Sequence, residues 1–460
     1  MNEQSDVTYA LLQGMSYDTV RQVRRDKLNR TMVTYYKKPL LIVKGDKQWL
    51  WDHEGNKYLD MFAGIVTVSV GHCHPRVNEA LMNQAKKIWH TTSIYMTEPI
   101  HKYAEKLTAT MPDNLKVCYF VNSGSEANDL AILMARMYTG RFDVLTLRNA
   151  YHGLTQTLMG ATNIADWKQP APTGFGIHKV MNPDPYRGLW GGQNCRDSLA
   201  QPDRPCTCKP NECQACDRYI EQLEESFMCD IPSQGPAAML LESVQGVGGT
   251  MQLPRNYVKR AFDMVHAKGG VCISDEVQTG FGRLGSKFWG FETHGVVPDI
   301  VTMAKGIGNG FPMAAVITST KVAETLTRAM HLNTYGGSPL AGAVGSAVLD
   351  VINDEGLQAN SAAVGDHFMA GLIELRKTSP LIGDVRGKGL MIGIELVSNK
   401  ETRRPLERAK VQEYFEKVRE KGILIGVGGL HRNCFRIKPP MCVTKDNADQ
   451  CLDVLREVLV

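Results

Sequence analysis

The chain has 460 residues, of which 43% are hydrophobic and 22% charged. This composition excludes a mainly disordered polypeptide and, at about 150 residues per domain, predicts two or three domains. The 52 basic and 48 acidic residues leave a net charge of +4, too small a bias to indicate binding to nucleic acid or to an anionic membrane surface. The longest apolar runs fall short of the roughly 20 residues that a membrane span needs, so we expect a soluble globular protein with no membrane partner.

The first thirteen residues mix Glu3 and Asp6 with a short apolar patch and show neither a secretory signal nor an Arg-rich mitochondrial presequence. A processed chain would begin in the same way, and a cytoplasmic protein would as well. Cys118 and Cys272 lie in apolar runs, where a free thiol behaves as a small hydrophobic group. This cysteine usage favours a reducing compartment.

In chain order, the first predicted elements are short strands over residues 40–62, arranged as a hairpin around a turn at 52–56. Apolar runs then predict buried strands at 116–121, 143–147, 237–241, 270–274, 300–303 and 314–318. Between the first two lies a predicted helix, whose apolar stripe consists of Ala127, Leu130, Ala131, Met134 and Tyr138. This alternation predicts an α/β protein with a mostly parallel sheet covered by helices on both faces, which binds its ligand at the carboxyl ends of the strands.

From about Ala341 the pattern changes to helices with strands at 390–397 and 434–437. A final helix carries one apolar face, formed by Ala448, Cys451, Leu452, Leu455 and Leu459. We therefore predict an N-terminal arm and hairpin over residues 1–70, a large ligand-binding domain over 71–340 and a smaller α+β domain over 341–460.

Three motifs follow predicted strands. Residues 122–128 (Asn-Ser-Gly-Ser-Glu-Ala-Asn) open the helix, where free N–H groups favour a phosphate, although a plain serine N-cap explains them as well. Asp275 emerges at the carboxyl end of its strand, as a cap or as a site residue. Lys305 follows a strand and precedes three glycines, as a site residue or as a solvated loop lysine. A dinucleotide loop at 306–310 does not fit, because the third glycine has the wrong spacing.

Together, a phosphate cradle, an acid and a lysine are what pyridoxal 5′-phosphate requires. The amine of Lys305 would condense with the aldehyde as a Schiff base, and the carboxylate of Asp275 would pair with the pyridinium nitrogen. This pairing keeps the ring protonated, so that the ring accepts electrons when the Cα–H bond of a substrate breaks.

These motifs resemble those of the class III pyridoxal-phosphate aminotransferases, from about Lys38 to Val460. The matching segments are 71–75, 122–128, 150–153, Glu242, 275–283, 305–310, 334–337, 386–389 and Arg436. Three further stretches, 62–75, 187–192 and 248–249, resemble the mitochondrial alanine–glyoxylate branch of that class. The resemblance implies the fold type I of pyridoxal-phosphate transferases, with a smaller C-terminal α+β domain, and a mitochondrial location.

The resemblance also implies a role for each site residue. Lys305 would hold the cofactor and move the substrate proton, with Asp275 as the partner of the ring nitrogen. The other implied contacts are Gln278 to the phenolic oxygen, Val277 and Tyr151 on the two ring faces, Gly124 and Ser125 on the phosphate, Glu242 and His152 as supports, and Thr334 reaching the phosphate of a neighbouring subunit. A homodimer or homotetramer follows from this last contact, and no metal takes part.

Substrate binding would rest on Arg436, whose guanidinium matches a carboxylate with two hydrogen bonds. In ornithine- and GABA-type members a glutamate pairs with this arginine, and here Val247 stands in its place, while Ser243 replaces a proline. An ungated Arg436 would bind short keto acids directly. The resemblance thus implies ping-pong transfer of an amino group from alanine or a short β- or ω-amino acid to glyoxylate or pyruvate.

A polar segment contains Cys195, Cys206, Cys208, Cys213 and Cys216. The last four have a spacing compatible with structural zinc, and disulfides or free thiols are the alternatives. None of them would be catalytic.

Two other functions remain open at this stage. A pyridoxal-phosphate lyase acting on a phosphorylated amino alcohol would share the lysine, the aspartate and the phosphate loop, but would carry extra basic residues in place of Arg436. A non-catalytic protein with the same fold would not need Lys305, Asp275, Gln278 and Thr334 together.

Overall fold

A computed structural model describes residues 14–209 and 212–460. Residues 1–13, for which the sequence predicts no leader and which begin the predicted N-terminal region, lie outside the described part. No helix in the described ranges combines the length and the apolar character needed to cross a membrane.

The strands are β1 (Ile42–Asp46), β2 (Trp49–Asp52), β3 (Lys57–Asp60), β4 (Val117–Val121), β5 (Val144–Leu147), β6 (Ile177–Val180), β7 (Ala238–Glu242), β8 (Val244–Gln245), β9 (Met251–Gln252), β10 (Val271–Asp275), β11 (Ile300–Met303), β12 (Ala314–Thr318), β13 (Ile382–Lys388), β14 (Met391–Asn399), β15 (Arg404–Pro405), β16 (Ile423–Leu424), β17 (Gly426–Gly428) and β18 (Cys434–Ile437). The helices are α1 (Tyr17–Lys27), α2 (Ala63–Val66), α3 (Pro75–Ala85), α4 (Glu98–Thr108), α5 (Gly124–Thr139), α6 (Leu158–Ala161), α7 (Gln214–Cys229), α8 (Tyr257–Ala267), α9 (Thr320–Glu324), α10 (Pro339–Asp354), α11 (Leu357–Thr378), α12 (Arg408–Glu420) and α13 (Lys445–Leu459).

The central sheet has the strand order β4-β12-β11-β10-β7-β5-β6. Six of its strands run in the same direction, and β12 runs antiparallel to both of its neighbours. The predicted mostly parallel sheet is therefore confirmed, and each of the six predicted strands is found with ends shifted by at most one residue. The edge strand β6 was not predicted. Because six strands share a direction, their carboxyl ends meet at one edge, where a ligand site is expected.

Helix α5 packs on this sheet with the predicted apolar stripe. Ala127, Leu130, Ala131 and Met134 are buried, but Tyr138 is 43% exposed, so its predicted place in the stripe is wrong. Tyr138 lies in the last turn before the Gly140 cap, beyond the buried face. The first turn of the helix, not the last, is the end that faces the carboxyl edge of the sheet.

The later part of the chain forms an antiparallel sheet, β13-β14-β18-β17, with β15 paired to β14. Both strands predicted in this region are present, and the five predicted apolar residues of α13 are all buried. The hairpin strands β1, β2 and β3 form a separate sheet, in which β3 pairs in parallel with β16. The N-terminal hairpin is thus attached to the C-terminal part of the chain.

A left-handed turn follows β3. Ala63, Gly64, Ile65 and Val66 have φ values of 51°, 59°, 66° and 67°. The left-handed region costs roughly 1–2 kcal/mol for each residue with a side chain, because Cβ approaches the next carbonyl oxygen. The Asp60 carboxylate supports the turn by accepting hydrogen bonds from the Phe62 and Ala63 amides, at 2.9 and 2.8 Å.

Candidate active site

A cavity of about 110 Å³ lies at the carboxyl edge of the central sheet. Its lining residues are Gly124, Ser125, Asn128, Tyr151, His152, Gly153, Glu242, Asp275, Val277, Gln278 and Lys305. The structure therefore brings together nine of the site residues predicted from the sequence, leaving only Arg436 and Thr334 outside this lining. The remaining two lining residues are Asn128 and Gly153.

Asp275 ends β10 and is 4% exposed. Its Oδ2 accepts hydrogen bonds from Asn128 Nδ2 and lies 2.8 Å from His152 Nδ1, while its Oδ1 accepts one from the Val277 amide at 3.1 Å. In the strand register Asp275 stands opposite Glu242 on β7. These three contacts fix the carboxylate in one orientation.

His152 and Glu242 flank this carboxylate. His152 is buried, and its Nε2 has no hydrogen-bond partner in the described part of the chain. Glu242 accepts hydrogen bonds from the backbone amides of Tyr151 and Gly246, at 3.1 and 2.7 Å. Burial raises the pKa of Glu242 above its usual range, against the influence of His152, and Asp275 raises it further. His152 thus contacts the Asp275 carboxylate and Glu242 contacts two backbone amides, and the supporting roles of both residues stay predictions.

Lys305 follows β11 and lines the cavity with a φ of 52°, in the left-handed region. Burial lowers the pKa of its ammonium group below the usual range, although the carboxylates of Asp275 and Glu242 act in the opposite direction. A residue with a side chain is uncommon in this backbone region, and such strain concentrates at functional sites. Lys305 is only partly exposed and lines the cavity, which disfavours the alternative of a solvated loop lysine.

The start of α5 forms another wall of the cavity. Ser123 is a true N-cap, since its Oγ accepts a hydrogen bond from the Glu126 amide at 3.2 Å. Gly124 and Ser125 occupy the next two positions, where amide groups lack an acceptor within the helix. A Cβ on Gly153 would lie 2.4 Å from Ser125 Oγ, so only glycine allows this close approach. The serine N-cap is therefore present, and the role of Gly124 and Ser125 as a phosphate cradle stays a prediction.

Three further side chains shape the cavity. The Val277 side chain lies 3.2 Å from where a Cβ on Gly124 would stand. The Tyr151 ring contacts Trp167 edge to face, with 5.3 Å between ring centroids. Gln278 is 6% exposed, and its amide packs against the backbone of Gly246.

Arg436 lies on β18, behind Gln278, and is 1% exposed. It donates a hydrogen bond to the Gly246 carbonyl at 3.4 Å, its guanidinium lies 5.1 Å from the Phe62 ring, and its Nε has no partner in the described ranges. Burial lowers the pKa of this guanidinium below its usual range. A buried cation with so few acceptors is suited to receive a carboxylate.

A larger cavity of about 560 Å³ is lined by Tyr35, Trp167, Val247, Gly428 and other residues of neighbouring loops. A Cβ on Gly428 would lie 2.8 Å from Arg436 Nε, so this wall adjoins the arginine. Val247 presents only an aliphatic side chain here. The wall therefore supplies no carboxylate from this position to pair with Arg436.

Thr334 is exposed and does not line the cavity of its own chain. It lies in a region with exposed large apolar side chains: Trp89, Ile94, Tyr95, Met96, Met330, Leu332 and Tyr335. The rings of His90 and Tyr335 contact each other, with 5.5 Å between centroids, so the two segments are adjacent.

Sequence reasoning assigned no role to Asn128, although it lay in a predicted motif. This residue donates to Asp275 and to the His152 carbonyl, at 2.8 and 2.9 Å, and accepts from Thr302 at 2.6 Å. The sequence feature that could have indicated a role is the position of Asn128, a polar residue on the otherwise apolar face of α5.

The cysteine-rich segment contains free thiols throughout. Cys216 lies near Arg260, at 3.8 Å, and Cys206 donates to the Gln193 carbonyl at 2.7 Å. Within residues 14–209 and 212–460, a single set of three possible ligand atoms lies within 4.8 Å of one another, and it is His266, Cys272 and Asp299, outside this segment. The Cys195 thiol lies within hydrogen-bonding reach of Cys213, and Cys206 lies within reach of Cys208, so structural zinc in this segment stays a prediction.

The described site can be compared with known proteins. The family model described as "Aminotransferase class-III" matches residues 32–459. The chain belongs to this family. It is 50% identical over 448 residues to human "Alanine--glyoxylate aminotransferase 2, mitochondrial", covering 97% of this chain and 87% of the relative.

Solved structures of the same fold include proteins of two activities. An amine transaminase from an uncultivated Pseudomonas species, in a PLP-bound form, has a TM-score of 0.85 and 30% identity, covering 94% of this chain and 98% of its own. A phospholyase from Arthrobacter in complex with phosphoethanolamine has a TM-score of 0.85 and 29% identity, covering 96% and 99%. The predicted family, fold class and enzyme class are therefore confirmed.

Proposed function

We propose that this class III aminotransferase uses pyridoxal 5′-phosphate to move an amino group from alanine, or from a short β- or ω-amino acid, to glyoxylate or pyruvate. The relative named alanine–glyoxylate aminotransferase 2 supports this substrate class. The observation that carries the proposal is a buried Arg436, beside Val247 instead of an acid, behind a cavity that contains both Lys305 and Asp275.

The residues of the cavity fit the cofactor. A helix start with Gly124 and Ser125 suits a phosphate, the fixed carboxylate of Asp275 suits a pyridinium nitrogen, and the amine of Lys305 suits an aldehyde. The unpartnered Nε2 of buried His152 shows that the site still has hydrogen-bonding capacity. When bound, the cofactor supplies an electron sink for the carbon from which a proton is removed.

The side chains of this chain supply the remaining functions. Lys305 carries the proton to and from the substrate Cα, which its lowered pKa favours because more of the amine is neutral near pH 7. The Asp275 carboxylate would hold a positive charge at the ring nitrogen, and Gln278 would donate to the phenolic oxygen. Val277 and Tyr151 confine the ring, and Glu242 and His152 keep the surrounding groups in position.

Arg436 binds the carboxylate of the amino or keto acid. Because Val247 has no carboxylate, a short acid does not have to displace an acidic side chain at this position to bind the guanidinium. A matrix of alanine, β-aminoisobutyrate, GABA and ornithine against glyoxylate, pyruvate and 2-oxoglutarate tests this selectivity. Efficient use of 2-oxoglutarate would contradict the assignment of short acceptors.

The phospho-lyase alternative is supported by the fold of the Arthrobacter phospholyase. A lyase needs no keto acid, whereas an aminotransferase stops after one half-reaction when no keto acid is present. We expect alanine turnover only with an added acceptor, and no phosphate release from phosphoethanolamine. Continuous turnover of an amine without any acceptor would favour the lyase.

We further propose that two subunits share each site, with Thr334 completing the phosphate site of its neighbour. The exposed apolar side chains around residues 89–96 and 330–335 support a subunit interface there. Mixing Lys305→Ala and Thr334→Glu chains, each inactive alone, should restore activity in heterodimers that keep one intact site. No recovery after subunit exchange, checked with differently tagged chains, would contradict this arrangement.

The domain boundaries and the compartment are also proposals. A small N-terminal region over residues 1–70 joined to a C-terminal domain over 341–460 is supported by the pairing of β3 with β16, and leaves residues 71–340 as the cofactor-binding domain. A mitochondrial location is supported by the name of the human relative. Fractionation of cells that express the native gene tests it.

A further inference from the structure

Lys438 is a buried lysine for which the proposed mechanism has no use. It directly follows β18 and is 0% exposed. Its Nζ donates to two uncharged acceptors, the Gly246 carbonyl at 3.1 Å and Gln278 Oε1 at 3.0 Å. Lysine is rarely buried completely without a counter-ion, because removing its charge from water costs free energy.

The surroundings of Lys438 make its burial more costly. Burial lowers the pKa of its ammonium group well below the usual range, and the charge of neighbouring Arg436 lowers it further. Glu242 and Cys434 act in the opposite direction, and Arg283 adds to the positive charge. Two adjacent buried cations do not improve the packing of a core, so their retention calls for another explanation.

The contact with Gln278 provides this explanation. Both the charged and the neutral amine can donate to two acceptors, so the atom of the Gln278 amide that meets Nζ is assigned as oxygen. The nitrogen, Nε2, then lies at the other end of the amide. A Cβ on Gly246 would lie only 2.3 Å from Oε1 and 2.5 Å from Nε2, so the amide also packs closely on that backbone.

Lys438 itself does not reach the ligand space. Gln278 lines the smaller cavity, whereas Lys438 lines neither this cavity nor the larger one beside Arg436. The lysine therefore acts through the glutamine and not by direct contact with a substrate.

We propose that Lys438 is a positioning residue that fixes the Gln278 amide with its oxygen towards the protein interior and its Nε2–H towards the cavity. The inference rests on the proposed function, because the group that receives this N–H is the phenolic oxygen of the cofactor. Donation from the lysine polarises the amide and makes Nε2 a stronger donor. A stronger donor stabilises the negative charge on the phenolic oxygen, which favours loss of the proton from the adjacent Lys305–cofactor linkage.

The test is a pH titration of the visible absorbance band of the protein loaded with pyridoxal phosphate. In Lys438→Met, which keeps the length of the side chain but removes the donor, we expect the midpoint to rise by about one pH unit. Lys438→Gln retains an N–H donor and should recover part of the wild-type midpoint, and it serves as the second variant if the methionine protein does not fold. Lys400→Met is the matched control, since Lys400 also donates to a carbonyl, at 2.7 Å from Arg376 O, and lies outside both cavities.

A double-variant cycle shows whether the lysine acts through the glutamine. In a Gln278→Leu background, Lys438→Met should cause no further shift, because the amide that it orients is absent. A full additional shift would overturn the proposal, and so would an unchanged midpoint in Lys438→Met alone. Loss of phosphoethanolamine binding with an unchanged midpoint would also overturn it and would make Lys438 a ligand for a substrate phosphate.

The outcomes separate this inference from the proposed function. A wild-type protein that takes up pyridoxal phosphate and develops the band, with a Lys438→Met midpoint equal to that of Lys400→Met, leaves the aminotransferase function intact and rejects the inference alone. A wild-type protein that forms no band rejects both.

Discussion

Two regions of the molecule bury charged side chains in opposite ways. On the antiparallel sheet, Arg386 binds both Asp384 and Glu395, at 2.9 and 2.6 Å, and Arg196 binds Asp384 at 2.7 Å. Beside the cavity, Arg436 and Lys438 are equally buried, but their hydrogen bonds go to carbonyl and amide oxygens and neither forms an ion pair. The first region pairs its cations directly with carboxylates, whereas the two cations of the second have no carboxylate in direct contact.

The pKa values follow the same division. Burial alone would raise the pKa of Asp384, but Arg196 and Arg386 outweigh burial and hold this pKa below its usual range. In the site, the effect of burial is larger than that of the nearby carboxylates, so the pKa values of Lys305, Arg436 and Lys438 are all lowered. Buried basic side chains without an ion pair, such as Arg436, therefore mark where a ligand with negative charge is expected, and ion-paired ones such as Arg386 mark where structure is maintained.

The largest expected effect comes from removing the amine that lines the cavity. Lys305→Ala should lower the rate of transamination by at least about 10³-fold, because the group that transfers the proton is lost. Its thermal stability should not fall, since a buried amine is removed. Single-turnover measurements with alanine check the rate, and Lys400→Ala is the control. A loss of less than tenfold would show that Lys305 is not the proton carrier.

Two arginine-to-methionine substitutions, one in each region, test whether ion-paired and unpaired buried arginines differ in their effect on stability. Arg386→Met removes one of the arginine partners of Asp384 and of Glu395, which keep Arg196 and Arg187, and should lower the free energy of unfolding by about 3 kcal/mol. Arg436→Met leaves no carboxylate unpaired and should change it by less than about 1 kcal/mol, while raising KM for pyruvate and glyoxylate. Urea unfolding of both cofactor-free proteins provides the comparison. Equal destabilisation would show that the two regions do not differ in this way.

Adding a carboxylate beside Arg436 should give this arginine an ion pair like that of Arg386. Val247→Glu places a carboxylate beside Arg436, so keto acids must compete for the guanidinium, and KM for glyoxylate should rise about tenfold, equivalent to about 1.4 kcal/mol. Val247→Gln, of similar size but uncharged, should leave KM much closer to that of the wild type. Steady-state kinetics of the three proteins decide between charge and steric hindrance.

The smallest effect is on the pH dependence of stability. The lowered pKa of Asp384 gives stability that is present above its unfolded pKa, near 4, and is lost as the pH falls through the folded value. Glu242, whose pKa burial raises, gives stability below its unfolded pKa that is lost as the pH rises through the folded value. We therefore expect Glu242→Gln to reduce the fall in the free energy of unfolding above about pH 4. The fall below that pH, which Asp384 causes, should stay as in the wild type. Urea unfolding from pH 3 to 8 checks both parts.

The sequence was informative where local patterns and packing agree. The six strands of the central sheet are short apolar runs that end in small or polar residues, and Asp275 and Lys305 stand at those ends, so both the sheet and its active edge could be predicted. Tyr138 shows the limit of this reasoning, because periodicity gives the face of a helix but not where the sheet beneath it stops.

Other features depend on contacts between distant segments. Lys438 reads as an ordinary charged residue after a strand, and only its distance to Gln278, 160 residues earlier, reveals its buried position. The same holds for Cys216, whose contact with Arg260, 44 residues later, only the fold reveals. Nor does an Ala-Gly-Ile-Val sequence predict a left-handed turn, since β-branched residues disfavour that conformation.

The turn at residues 63–66 has a consequence for redesign of substrate range. Its conformation suits glycine best, so Ile65→Gly should be tolerated by the backbone, whereas bulkier β-branched replacements add strain to a segment that is already unfavourable. Variant libraries that randomise this turn together with more relaxed positions would lose many members to misfolding. Gly428 and Val247, which line the larger cavity, offer contrasting choices: the first has no room for a Cβ, and the second can change its chemistry without altering the path of the chain.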